Sequence, residues 1–125
     1  MIYLDTHVVV WFYARKGAGV SERAFQVIEK AAKIFISPMV LLELDYLHET
    51  GRTTLPSGPV YDYLHERIGL RICEKPFAEV IRLACQETWT RDPFDRIITA
   101  HASVGQNILI TKDELIGEHY EHAVW

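Results

Sequence analysis

Apolar positions recur along the chain in two alternating rhythms: short unbroken runs of three or four residues, and longer stretches in which they return every three to four positions. The short runs are Ile2–Leu4, Ile34–Ile36 and Ile108–Ile110, each the kind of strand that is covered on both faces, and a further strand is expected near residues 70–73. Between them the spacing is helical. Residues 8–13 read as a helix with Asp5 or Thr6 near its cap: three successive valines favour a strand, but no Gly or Asn stands where a hairpin would bend. Lys16, Gly17 and Gly19 make a loop, and Ser21 caps a helix through Ala24, Val27, Ile28, Ala31 and Ala32. Ser37 before Pro38 opens a further helix to about Glu49. Residues 50–59 form the clearest irregular connection, followed by a helix over about 60–68 and another over 76–87 with Phe77, Val80, Ile81 and Ala84 on one side. Asp92 before Pro93 starts the last long helix, whose inward stripe is Phe94, Ile97, Ile98 and His101 and which Gly105 and Asn107 stop. Thr111 with Glu114 matches a capping box, leaving Asp113 in a helical first turn, and Ala123, Val124 and Trp125 are expected to dock as an edge strand. Strand and helix alternate throughout, which predicts an α/β fold with a mainly parallel sheet and helices on both faces.

Composition narrows this picture. At 125 residues and 49% hydrophobic content, one domain over 1–125 with a full core is expected. The opening Met-Ile-Tyr-Leu-Asp lacks a basic n-region, and no apolar run approaches a membrane span, so a cytoplasmic protein without signal peptide or membrane partner is expected. Cys73 and Cys85 lack CxxC spacing and read as small core residues. A formal net charge of −4 argues against a protein that holds nucleic acid by bulk electrostatics. Four of the acids, set aside as one cation site, would bring the remainder to about zero.

Glu43 is the most informative residue. On a helix its surface neighbours are Met39, Val40, Tyr46 and Leu47, which are large and mostly apolar, so it should point inward. A buried carboxylate must be protonated, paired or metal-bound, and an ion pair with Arg96 is the plain alternative. The other acids have ordinary readings as caps: Asp5 at a helix start, Asp92 and Asp95 as an N-cap and its third-position partner, Asp113 in a first turn. Together they say more. Asp5 and Asp113 both follow buried strands, Asp95 lies in the first turn of a crossover helix, and Glu43 faces inward on another. Open α/β sheets place ligands at the carboxyl ends of their strands, where four carboxylates would repel one another without a cation. Oxygen-only ligands suit Mg²⁺ or Mn²⁺.

At these residues the chain resembles the PIN-domain nucleases, and within them the VapC-type toxin ribonucleases. The likeness rests on LDTHVVVW at the start, SPMVLLEL with its inward Glu, DPFDRIITAHA, and ILITKDELI near the end, in that order over nearly the whole length. Carried over by motif, the family's acidic quartet falls on Asp5, Glu43, Asp95 and Asp113, with Thr6 and Thr111 as supporting residues and Asp92 as a cap and accessory. The resemblance implies a PIN-like fold with about five parallel strands, metal-dependent endoribonuclease activity with Mg²⁺ or Mn²⁺, a homodimer, and a small antitoxin encoded alongside. Water as the nucleophile predicts a 5′-phosphate and a free 3′-hydroxyl. Arg96 is the first-ranked phosphate contact, ahead of Arg15, Lys16, Arg91 and Lys112.

A basic antitoxin side chain, best an Arg, is expected to reach the four acids. An apolar helix should then cover a groove near residues 21–32 and 38–49, where Leu41, Leu44 and Tyr46 are candidates. Other classes fit less well. A phosphotransfer receiver needs paired acids after the first strand and an Asp after the third, where this chain has Asp5-Thr6 and Cys73-Glu74. A dehalogenase-type phosphatase needs a second Asp two residues beyond Asp5, and that position is His7. A PIN-like nuclease acting on DNA, or in RNA processing without a toxin role, and a non-catalytic interaction domain are the alternatives, though the last gives no reason for an inward Glu43.

Overall fold

The apolar runs pair into one sheet. In the computed structural model, which describes residues 1–125, β1 (Ile2–Leu4), β2 (Ile34–Ile36), β3 (Leu70–Ile72), β4 (Ile108–Ile110) and β5 (Ala123–Val124) lie in the order β3-β2-β1-β4-β5. Every pairing is parallel, with Ile2 opposite Ile34 on one side and Ile108 on the other, and Leu4 opposite Ile110. Successive side chains of a strand point to opposite faces, yet Ile2, Tyr3 and Leu4 are all buried, so β1 is covered on both. The expected edge strand is β5, paired to β4.

Seven helices connect the strands: α1 (Thr6–Arg15), α2 (Glu22–Lys30), α3 (Pro38–Glu49), α4 (Ser57–Ile68), α5 (Phe77–Ala84), α6 (Pro93–Ser103) and α7 (Glu114–His119). The valine run is helical, because Val8, Val9 and Phe12 all find buried places in the core and Asp5 caps the helix start. Lys16 ends α1 in the left-handed region, and Gly17 follows at φ 89° under the rings of Phe12 and Phe25, where a Cβ would stand 3.3 and 3.2 Å from them. In α6, Pro93 occupies the first position and Asp92 accepts hydrogen bonds from the amides of Phe94 and Asp95. His101 is buried there and shares its Nδ1 with the Ser37 hydroxyl at 2.8 Å. Burial pushes its pKa down, so the neutral imidazole pins α6 to the cap of α3.

Several boundaries and faces differ from expectation. α4 begins at Ser57 rather than about 60, since a Pro in the first turn sacrifices no intrahelical bond, so Pro59 does not delay the helix. The Ser57 amide is held at 2.8 Å by the Asp45 carboxylate. α2 ends at Lys30, two residues early, because Ala31 is already extended toward β2. α5 closes at Ala84, short of 87, and Cys85 beyond it is exposed rather than a core residue. Phe77, assigned by period to the inward side of α5, is 56% exposed, because it sits at the helix start beyond the reach of the packing that buries Val80 and Ala84. No helix is long and apolar enough to cross a membrane.

Strand order decides where a site can form. The chain leaves β1 toward β2 and β3, then returns through α5 and α6 to β4 on the opposite side of β1. The order therefore reverses between β1 and β4, opening a crevice beyond their carboxyl ends where loops diverge in opposite directions.

Candidate active site

The first residue after β1 is Asp5, and its backbone N–H donates to Ile110 O at 3.0 Å, which sets it beside the end of β4. Its side chain is almost wholly buried. Oδ1 accepts from the Thr6 amide at 2.8 Å and Oδ2 from the Thr111 hydroxyl at 2.6 Å. Burial raises the Asp5 pKa and these two donors oppose the rise, while His7 lowers it and Asp113 raises it.

Thr6 connects the second acid. Its hydroxyl donates to Glu43 Oε1 across from α3, so Glu43 faces inward as its apolar neighbours require. The alternative ion pair with Arg96 does not form; Arg96 directs its Nε to the Thr90 carbonyl at 2.8 Å. Burial also raises the Glu43 pKa, with Asp5 and Asp92 adding to the rise and Thr6 and His7 opposing it.

On the β4 side, the helix cap expected of Thr111 falls to Asp113. The Thr111 hydroxyl accepts from the Asp113 amide at 3.1 Å and donates to Asp5 Oδ2, and it is not the cap of α7. Asp113 is the cap instead, accepting from the Ile116 amide at 2.9 Å. The Thr111 hydroxyl is aimed at the buried Asp5 carboxylate, and the acceptor that reaches an amide inside α7 is the Asp113 side chain.

Asp95 is the least tethered. Its expected role as reciprocal partner of the Asp92 cap is taken by Thr90, whose hydroxyl accepts from the Asp92 amide at 3.2 Å. Burial pushes its pKa up to about 7, and the further causes, in order, are Asp92, Asp5, Asp113 and Glu43, every one a carboxylate. The four predicted acids therefore converge from β1, α3, α6 and β4, with Asp92 at the margin. No three of them are drawn close enough to ligate one ion as they stand. Asp5, Glu43 and Asp113 each spend at least one oxygen on a hydrogen bond, which leaves lone pairs, not whole carboxylates, facing the crevice. This donor set fits a hard divalent cation, being all oxygen and self-repelling without one.

His7 was not among the expected site residues, although it acts electrostatically on both Asp5 and Glu43. Its place directly after the Asp5-Thr6 pair was the available signal. Leu44, expected as a groove candidate, is fully buried in the core, whereas Tyr46 is exposed and meets Phe94 edge-on at 5.4 Å.

A parallel sheet with carboxylates gathered at its switch point is the arrangement of a PIN domain, and the chain belongs to that family, whose model matches residues 2–121. Among its relatives is Ribonuclease VapC22 of Mycobacterium tuberculosis, 29% identical over 94% of this chain and 91% of that protein. Similar folds occur in VapBC2 from Rickettsia felis bound to a promoter DNA fragment (TM-score 0.64, 21% identity, 99% of this chain and 96% of that one). A toxin–antitoxin complex from Klebsiella pneumoniae has the fold as well (TM-score 0.66, 14% identity, 100% and 97% of the two chains).

Proposed function

We propose that this chain is a divalent-metal-dependent endoribonuclease and the toxin of a toxin–antitoxin pair. The observation that carries the catalytic reading is the convergence at Asp95, a partly buried carboxyl whose charge is opposed by Asp92 at the start of its own helix and by Asp5, Asp113 and Glu43 arriving from three other elements. The relative named a ribonuclease and the toxin–antitoxin complexes of the same fold support the substrate and the partner.

Asp5, Glu43, Asp95 and Asp113 would hold the ion. When bound, Mg²⁺ or Mn²⁺ supplies Lewis-acid chemistry, offsetting charge on the scissile phosphate and making water acidic enough to attack near neutral pH. The chain's own contribution is direction. Thr111 and the Thr6 amide fix the Asp5 carboxylate, the Thr6 hydroxyl fixes Glu43, and Asp92 anchors the start of α6 so that Asp95 projects into the crevice. Arg96, bound to Thr90 through Nε alone, retains guanidinium donors for a phosphate. An antitoxin that silences the site would place an Arg or Lys among these acids, and a helix with an apolar face would cover α2 and α3, where Phe25, Leu42 and Tyr46 are exposed.

The test combines purified protein with total RNA in Mg²⁺, Mn²⁺ or EDTA, with end-group analysis of the fragments. Cleavage should need the metal, leave 5′-phosphates, and be lost in Asp5→Asn, Glu43→Gln, Asp95→Asn and Asp113→Asn. Undiminished cleavage in EDTA would overturn the catalytic reading, and preferential cleavage of DNA would redirect it to that substrate. Induction should arrest growth and co-expression of an adjacent antitoxin should restore it; harmless expression without the antitoxin would remove the toxin role alone. Light scattering tests the homodimer that the family implies.

A further inference from the structure

One buried hydroxyl has no partner. Thr99 on α6 is fully buried, and its Oγ1 is the only buried side-chain nitrogen or oxygen in the chain without a hydrogen bond. A helical Thr ordinarily returns its hydroxyl to a carbonyl three or four residues earlier, and a buried hydroxyl left unbonded destabilises a fold, so this one needs a reason beyond packing. Val would have filled the same space without leaving a polar atom behind.

The neighbouring acids supply the reason. Three threonines are buried, Thr6, Thr99 and Thr111, and the other two each donate to an acid of the site: Thr6 to Glu43, and Thr111 to Asp5 at 2.6 Å. Thr99 follows Asp95 by four residues, one turn along the same face of α6, where Cβ atoms stand about 5–6 Å apart and the Cα–Cβ bond leans back toward the helix start. Asp95 in turn accepts from no donor; besides burial, what acts on its carboxyl is repulsion from Asp92, Asp5, Asp113 and Glu43. A hydroxyl without an acceptor therefore lies one turn behind a carboxyl without a donor.

We propose that Thr99 is the positioning residue of Asp95, its hydroxyl donating to the Asp95 carboxylate when a divalent cation occupies the site. This rests on the metal-dependent reading above and adds to it the residue that sets the aim of its least tethered acid. A carboxylate that ligates through one oxygen keeps the other for a hydrogen bond, and such outer contacts orient the ligand and tune metal affinity. Asp5, Glu43 and Asp95 would then each be held by one threonine, while Asp113 is held by its own helix cap.

The test titrates Mn²⁺ into the metal-free chain with electron paramagnetic resonance as the readout of bound ion, and measures the Tm of the metal-free protein alongside. Thr99→Val keeps the volume and removes the hydroxyl. It should leave the metal-free Tm unchanged or raise it, because an unbonded polar atom is lost, yet weaken Mn²⁺ binding roughly tenfold or more, the range for loss of a contact behind a metal ligand. A residue that only packs would not give these opposed signs. Thr99→Ser restores a hydroxyl and should bind Mn²⁺ as the parent does, whereas Thr99→Ala should weaken it as Thr99→Val does. The effect of Thr99→Val should shrink in Asp95→Asn, whose neutral amide is a poorer acceptor. A lower Tm of metal-free Thr99→Val, or an undiminished effect in Asp95→Asn, would overturn the assignment. A parent that binds Mn²⁺ with Thr99→Val and Thr99→Ala binding equally well sinks the assignment alone; a parent that binds no Mn²⁺ sinks the metal-dependent reading and the assignment with it.

Discussion

Replacing Asp95 by Asn should stabilise the metal-free protein, and by an amount that depends on pH. The Asp95 carboxyl is pushed up to about 7 from an ordinary 3.8, by burial first and then by Asp92, Asp5, Asp113 and Glu43. Each pH unit between those values is worth about 1.4 kcal/mol, so ionising Asp95 in the fold costs at most about 4 kcal/mol more than in the unfolded chain. Asp95 is only partly buried, and solvent screening brings this to about 1–2 kcal/mol. The folded pKa lies above the unfolded one, so the fold binds the extra proton. The associated stability is fully present below 3.8 and is lost as pH rises to about 7. Asn carries no charge and keeps the shape. Asp95→Asn should therefore gain about 1–2 kcal/mol at pH 8 in EDTA and low salt, or about 3–6 °C in Tm for a domain of this size. At about pH 4.5 the gain should shrink to a few tenths of a kcal/mol. Urea unfolding at both pH values, with circular dichroism as the readout, decides it. A loss of stability at pH 8, or an equal gain at both pH values, would refute the crowding of carboxylates on which the site rests.

Other expectations concern the residues that hold the site. Thr111→Val removes the donor to the buried Asp5 Oδ2 and should cost about 1–3 kcal/mol in urea melts, with Thr111→Ser close to wild type. Leu44→Ala should cost about 2–5 kcal/mol by the same measurement, since Leu44 is a core residue rather than a groove contact; a change below about 1 kcal/mol would contradict its burial. Ser21→Ala removes the α2 cap and should cost about 1 kcal/mol without changing RNA cleavage. Added Mg²⁺ should raise the Tm of wild type and do so much less in Asp95→Asn, as thermal shift in a metal titration will show.

The sequence by itself determined the succession of elements. The unbroken apolar runs became β1, β2 and β4, the strand expected near residues 70–73 became β3, and the cap-then-Pro pairs Ser37-Pro38 and Asp92-Pro93 opened α3 and α6 as expected, because capping and period are local physics that neighbours rarely override. Even the inward aim of Glu43 was legible, since a carboxylate ringed by apolar side chains can face only one way. What answers that carboxylate was not legible: its partner is Thr6, thirty-seven residues away, and not Arg96. The cap expected of Thr111 fell to Asp113 for the same reason, because Thr111 is held by Asp5, a residue brought near only by the pairing of β1 with β4. Helical period put Phe77 on a core position and an isolated thiol without CxxC spacing put Cys85 on another, yet neither signal says whether anything packs there; both lie at or just past the ends of α5 and stay exposed. Trp11 meets Trp125 at 5.5 Å, from opposite ends of the chain, because β4 lies between β1 and β5. Local rules select a residue's helix or strand and the side it prefers. Which distant residue meets it there depends on strand order and register, and those emerge only when the whole core is closed.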